Sequence, residues 1–294
     1  MKETLQEKNY SVLKPNFNTR SNSKLIQSYF QEIYVLTTRL LIQGWRRPSL
    51  LITGILQPLL WLLLFSALFQ NAPIQLFTNT AKYSDFISSG IIVFTAFTCS
   101  LNAGLPIIFD REFGFFNRIL SSQLYSRYSI IISSSFNIIF NSLIQVVSII
   151  YTCSLIGNSI PNIKNGLVIA GILFLLSNSI TSISLIMAFI LPGHIELLAC
   201  ILIMNLPLLF SSTALAPLIF MPSWLQVIAS INPLSYAIEA IRYTYLHESF
   251  SYESIIMETV WGPINILQII SLLFSTNIIC FLLVYKLVSN KFED

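Results

Sequence analysis

The chain has 294 residues, of which 10% are charged and 54% hydrophobic, with a mean hydropathy of +0.73 and a formal net charge of +3. Soluble domains carry about 25% charged residues. The composition therefore excludes an ordinary soluble enzyme and a disordered chain, and so small a charge excludes a nucleic-acid partner. What remains is a protein that crosses a bilayer several times.

Residues 1–23 are polar and hold no apolar segment of signal-peptide length, which predicts a disordered tail. From 24 to 48, Ile26, Tyr29, Ile33, Leu36 and Leu40 recur at helical spacing, with Gln27, Gln31 and Arg39 on other faces. This pattern predicts an amphipathic helix lying in the inner membrane interface. Trp45, Arg46 and Arg47 suit the headgroup layer, and Pro48 ends the helix.

Six apolar stretches follow within 49–291: residues 50–69, 86–109, 129–156, 167–191, 197–220 and 264–285. A helix needs about 20 apolar residues to cross the hydrocarbon core. None of the six holds Asp, Glu, Lys or Arg. A charge at a helix centre costs about 2.5–3.5 kcal/mol on the insertion scale, so their absence predicts six transmembrane helices. The fold class is all-α and polytopic.

Of the sixteen Lys and Arg, thirteen fall in the leading segment, in the loop after the second span and in the final tail. Only Lys82, Lys164 and Arg242 fall on the other side. The positive-inside rule then places both termini on the inner side.

Within the spans, Ala96, Ser100 and Gly104 recur every four residues, as close helix packing requires. The fourth and fifth spans are rich in Ser, Thr and Asn. Their hydroxyls suit bonds back to their own carbonyls, with a weakly polar substrate lining as the second reading. Pro58, Pro106, Pro207 and Pro217 are expected to kink or loosen their helices.

The inner loop 110–127 reads DREFGFFNRILSSQLYSR and mixes charge with Phe113, Phe115 and Phe116. On residues alone two readings stay open. One is a short helix that docks on another protein, the other an interfacial loop whose aromatics dip into lipid. Between the fifth and sixth spans, Pro222 and the Asn232–Pro233 step each open a short helix. Glu239 and Arg242 are spaced to pair weakly. Trp224, Tyr236, Tyr243, Tyr245 and Trp261 suit the outer headgroup belt, so this short-helix hairpin is expected at or partly within the outer leaflet.

Much chemistry is absent. No Gly is followed by Lys, so the chain has no phosphate-binding loop and cannot hydrolyse ATP by that mechanism. There are two histidines, His194 and His247, and neither HExxH nor GxSxG occurs. Cys99, Cys153, Cys200 and Cys280 fall in apolar runs without metal-ligand spacing. No catalytic, cofactor-binding or metal-binding residue is therefore expected. Ion-coupled carriers place titratable groups inside their spans, and these spans have none. His194 and Glu196 flank the turn between the fourth and fifth spans and read as a solvated turn.

Two segments resemble the ABC-2-type transport permeases. One is the loop beginning at Asp110, with its acidic-Arg-Glu-Phe-Gly run after the second span. The other is FMPSWLQVIASINPLSYAIEAIRYTYL, where Pro222, Trp224, Leu225, Asn232, Pro233, Ala237 and Arg242 match together. The order of elements also matches, over residues 25–290. Gln123–Leu124 departs from the Pro-containing step of many relatives. The resemblance implies the permease subunit of an ABC transporter, an exporter acting as a dimer. Two separate ABC ATPase subunits would supply the energy from the inner side. It also implies that residues 111–120 form the coupling helix, with Arg111, Glu112, Phe113, Gly114 and Arg118 as contact candidates. The excess of Ile, Asn, Ser, Phe and Tyr resembles the forms encoded in algal plastid genomes. A plastid membrane is thus expected, with a bacterial inner membrane as the alternative and both termini on the stromal or cytosolic side. The competing function is a non-transporting membrane assembly factor or scaffold. No residue selects a substrate.

Overall fold

The computed structural model describes residues 22–69, 83–121, 128–155, 161–246 and 254–293, with 124, 126 and 157 between them. The expected tail therefore lies outside the described residues except for its last two positions, as do His247, Lys82 and Gln123. In chain order the helices are α1 (Asn22–Trp45), α2 (Pro48–Leu68), α3 (Tyr83–Leu101), α4 (Leu105–Glu112) and α5 (Phe115–Ser121). They continue with α6 (Ser129–Leu155), α7 (Ile163–Ile190), α8 (His194–Phe210), α9 (Ser223–Ile231), α10 (Pro233–Leu246) and α11 (Ile266–Glu293).

Five helical stretches are long and apolar enough to cross a membrane: Leu51–Leu68, Tyr83–Glu112, Ser129–Leu155, Ile163–Ile190 and Ile266–Leu287. The sixth expected span is the shorter α8, of 17 residues. It stops at Phe210, ten residues before the apolar run does, because Pro207 loosens the helix and a turn at 211–214 closes it. The chain is a multi-pass membrane protein of six apolar helices, one of them short.

Tyr83–Glu112 is 30 residues long, or about 45 Å at 1.5 Å per residue. The hydrocarbon core is about 30 Å thick, so the end of α4 projects beyond it. The stretch tightens to a single 3-10 turn at Asn102–Gly104. Pro106 follows one residue later and offers no N–H to the Asn102 carbonyl, which accepts from the Leu105 N–H instead. The Asn102 side chain donates to the Thr98 carbonyl at 2.9 Å.

Burial sorts the helices. α3 and α7 form the centre of the bundle, whereas α2 and α11 leave most of their apolar side chains exposed, as a lipid-facing helix would. The centre depends on close approach. A Cβ at Gly104 would lie 2.6 Å from the Ser184 carbonyl of α7. Ser184 Oγ accepts from the Gly104 N–H at 2.9 Å and donates to the Leu101 carbonyl at 2.5 Å. Nearby hydroxyls bond within their own helices: Ser100 to Ala96, Ser179 to Leu175 and Ser182 to Asn178. At these positions the packing reading of the small and hydroxyl residues holds. Asn277 of α11 donates to the Leu175 carbonyl of α7 at 3.0 Å and accepts from Asn178 at 3.1 Å, which ties the last span to the centre.

The region between the last two spans differs in depth from the sequence expectation. Pro233 does open α10, and Asn232 Oδ1 accepts from the Leu234 N–H at 3.0 Å. But α10 is buried among α3, α7 and α11, with Ala237, Ala240 and Ile241 wholly inaccessible. Tyr236 and Tyr245 are buried with it, and the Tyr236 hydroxyl donates to the Ser230 carbonyl. Trp224 and Trp261 are exposed, as headgroup anchors are expected to be. The strands β1 (Ile255–Thr259) and β2 (Gly262–Asn265) pair as an antiparallel hairpin before α11. This is the sole sheet among the described residues of an otherwise helical fold.

Candidate functional site

The basic end of the bundle gathers α1, the α4–α5 elbow and the turn between α7 and α8. The elbow forms because Gly114 sits at φ +71°, a conformation that reverses the chain between two helices. The inner face of α5 is apolar. Phe116 and Ile119 are buried with Ile107, Ile131, Leu185 and Phe189. The Phe116 and Phe189 rings meet edge to face at 5.9 Å.

Three consecutive polar residues at the end of α4 then reach three different elements. Asp110 Oδ2 pairs with Arg39 Nη2 of α1 at 2.6 Å. The same guanidinium lies over the Phe115 ring at 4.4 Å. Arg111 Nη1 donates to the Ala188 carbonyl and, at 3.3 Å, to the Leu191 carbonyl. A cation there meets the negative end of the α7 dipole and satisfies carbonyls left open by helix termination. Glu112 takes the other side of the turn. Its Oε1 accepts from the His194 backbone N–H and its Oε2 pairs with His194 Nδ1, both at 2.6 Å. The N-terminus of α8 has no side-chain cap of its own, since Gly193 holds that position. Glu112 supplies the acceptor and the negative charge from a neighbouring helix. Phe109 closes the joint, with its ring 5.0 Å from His194 and 6.2 Å from Phe113.

The five residues singled out from the sequence therefore divide. Arg111 and Glu112 bond to the α7–α8 turn, Glu112 from an exposed position. Phe113, Gly114 and Arg118 face outward, and Phe113 is 78% exposed. Sequence reasoning missed His194, Arg39 and Asp110 as parts of one assembly. The turn holding His194 read as solvated, and the side chain is 36% exposed, but the imidazole is also paired with Glu112; only a folded chain brings positions 82 apart together. The acidic-Arg-Glu order of 110–112 was the available signal, because three successive residues on a helix point about 100° apart and address three neighbours.

The opposite end holds a second buried assembly. Arg242 is 5% exposed and pairs with Glu239 Oε1 at 2.5 Å. It also donates to the Thr213 carbonyl at 2.8 Å and to Ser89 Oγ at 3.2 Å, and it lies 3.7 Å over the Phe86 ring. Burial pulls its guanidinium down from the ordinary range and the Glu239 carboxylate opposes that pull. The expected weak surface pair is thus a buried strut joining α10 to α3 and to the turn after α8.

No group of three or more His, Cys, Asp or Glu is placed to hold a metal among the described residues. Among the described residues the elbow shows no nucleophile–base pair.

The family described as ABC-2 type transporter matches residues 31–246, a range that includes the elbow, Arg39 and Arg242. The candidate transport permease ycf38 of Pyropia yezoensis is 51% identical over 279 residues, covering 95% of this chain and 96% of that protein. Its namesake in Porphyra purpurea is 55% identical over 249 residues, covering 85% and 86%. The one in Cyanophora paradoxa is 50% identical over 276 residues, covering 94% and 95%.

Proposed function

The chain belongs to the ABC-2 type transporter family, and from that premise we propose that it is the permease subunit of an ATP-driven exporter whose ATPase docks on the α4–α5 elbow. The observation that carries this reading is the division of labour at the elbow. Phe113 at the turn and Arg118 on α5 are exposed, while Arg111 and Glu112 clamp the same segment to the α7–α8 turn. Aromatic residues and Arg are enriched at protein interfaces. Force applied there passes into α4, which continues α3, and through the two inward clamps into α7 and α8.

The missing phosphate loop requires that ATP be hydrolysed by another chain. A pair of permease chains serves two ATPase subunits, which makes a homodimer the simplest assembly. The compositional bias and the algal relatives support a plastid membrane. The distribution of Lys and Arg supports both termini on the stromal side, the side on which the elbow lies.

The test is purification of the full chain from its own membrane. We expect a P-loop ATPase to accompany it, and Arg118→Glu or Phe113→Ala to reduce that capture about tenfold or more, the effect of losing one hot-spot residue. Capture unchanged in both variants would remove the elbow as the docking site. Recovery without any ATPase would leave the scaffold reading in its place.

A further inference from the structure

Gln145 lies in the middle of α6, 4% exposed, and its Oε1 has no hydrogen-bond partner. Gln43 of α1 leaves its own buried Oε1 in the same condition. A buried acceptor without a donor is costly to keep, and doubly so at membrane depth. Both amides line one partly open cavity of about 320 Å³ between α1, α2, the second span and α6, with Leu198 of α8 at its wall. Its remaining polar wall includes the uncharged Gln57, Asn102, Asn137 and Asn141, and its one charged residue is Arg47, at the α1–α2 joint.

Helix-to-helix bonding does not account for these amides. Asn141 donates to Asn137 within α6, and Asn102 donates to Thr98 within the second span. Those bonds run along the walls and do not cross the cavity. Gln57 stands nine residues past Pro48, about 14 Å along α2. The amide set thus reaches from the headgroup level toward the middle of a core about 30 Å thick.

The cavity is also the middle of a track. A groove of about 630 Å³ along α1 shares Gln43 and Arg47 with it and adds Arg39 and Arg46. A groove of about 440 Å³ along α2 shares Thr53 and Gln57 with it, and its other walls are Leu56, Leu60, Trp61 and Leu64. The order along the track is therefore basic, then amide, then apolar.

We propose that this track takes an amphiphile with an uncharged, hydroxyl-rich head group, of the glycolipid class, as the transported substrate. The inference rests on the transport reading above and supplies its substrate class. Hydroxyls both donate and accept, so they satisfy the open carbonyl oxygens of Gln43 and Gln145 together with the N–H groups beside them. A cationic head would meet Arg47, and an anionic head would pair with Arg47 but leave the amide oxygens of Gln43 and Gln145 without donors. The chain of the amphiphile lies along Leu56, Leu60 and Leu64, against Trp61.

Trp61 makes the proposal measurable. With Trp45, Trp224 and Trp261 replaced by Phe, it is the one tryptophan left of four. The full chain is placed in phosphatidylcholine nanodiscs doped with a lipid of brominated chain, which quenches a tryptophan it touches. Three head groups are compared: a diglycosyl, a phosphocholine and a phosphoglycerol. The glycosyl lipid is expected to quench Trp61 at about tenfold lower mole fraction than the other two, the effect of one or two net hydrogen bonds. Gln145→Leu removes the open acceptor and is expected to abolish that preference. Gly44→Leu does so independently by filling the cavity mouth, where a Cβ meets nothing within 4 Å, and leucine favours the helix. Equal quenching by all three lipids means an ordinary lipid annulus and overturns the proposal. Strongest quenching by the phosphoglycerol lipid overturns the uncharged head. A preference retained in both variants overturns the amide site. These outcomes are read on the permease alone, so they fail separately from ATPase capture at the elbow.

Discussion

The Glu112 carboxylate holds the His194 backbone N–H and the His194 imidazole Nδ1, each at 2.6 Å. One side chain at the end of α4 thereby caps the first turn of α8. Removing it leaves that turn with an open N–H. Glu112→Ala is expected to speed amide hydrogen exchange in the first turn of α8 several-fold, with exchange in α3 unchanged. Glu112→Gln keeps an acceptor for the backbone N–H and is expected to fall between the two. Equal exchange in all three proteins would mean that the contact does not hold the joint.

Arg242 and Glu239 make a more buried pair, with side chains 7% and 15% exposed. Arg242→Ala leaves the Glu239 carboxylate without its partner. Breaking one side of a buried pair costs about 3–5 kcal/mol. The variant is expected to lose most of its yield and to unfold at a markedly lower temperature in detergent. Arg242→Met with Glu239→Leu replaces both charges by apolar bulk and is expected to recover much of the loss. If the double variant is as unstable as the single one, the strut acts through its bonds to Thr213 and Ser89 and not through charge pairing.

Gly104 tests close packing at the centre. A Cβ there would meet the Ser184 carbonyl at 2.6 Å, and backbone cannot step aside as a side chain can. Gly104→Val is expected to cost about 1–3 kcal/mol or more through overpacking. Ser184→Ala at the same contact leaves the Gly104 N–H open and is expected to cost about 1–3 kcal/mol. Thermal unfolding of the two variants beside the unaltered protein measures both.

Gly114 tests the elbow by its backbone. At φ +71° an ordinary side chain is strained by about 1–2 kcal/mol, and Asn tolerates the region best. Gly114→Val is expected to weaken ATPase capture while the unfolding temperature changes little, because the turn is exposed and nothing packs on it. Gly114→Asn is expected to retain capture. Equal capture by both variants would separate the shape of the elbow from docking.

Most of the architecture was legible in residue type alone. Charge-free runs such as 129–156 and 167–191 announce their helices, because a lone charge in hydrocarbon is too costly to place there. Asn232–Pro233 announced the start of α10, because a cap and a fixed φ act locally. The DREFG segment stood out by its mix of charge and aromatics, and its outward members are Phe113 and Arg118. Its inward members could not be told apart from them. Whether Glu112 points at a partner or at His194 depends on where α8 ends up, and no local pattern encodes that.

Composition and the placement of charge therefore determined, from the sequence alone, a membrane protein of six apolar helices with a basic end. Those are properties of transfer free energy, which is summed residue by residue and needs no contact map. The tertiary structure decided which polar groups meet. It turned a weak-looking pair at Glu239 and Arg242 into a buried strut, gave His194 a partner in Glu112, and gathered scattered amides into one cavity wall. Pairing energies depend on distance and burial between residues far apart in the chain, and only the packed bundle sets those.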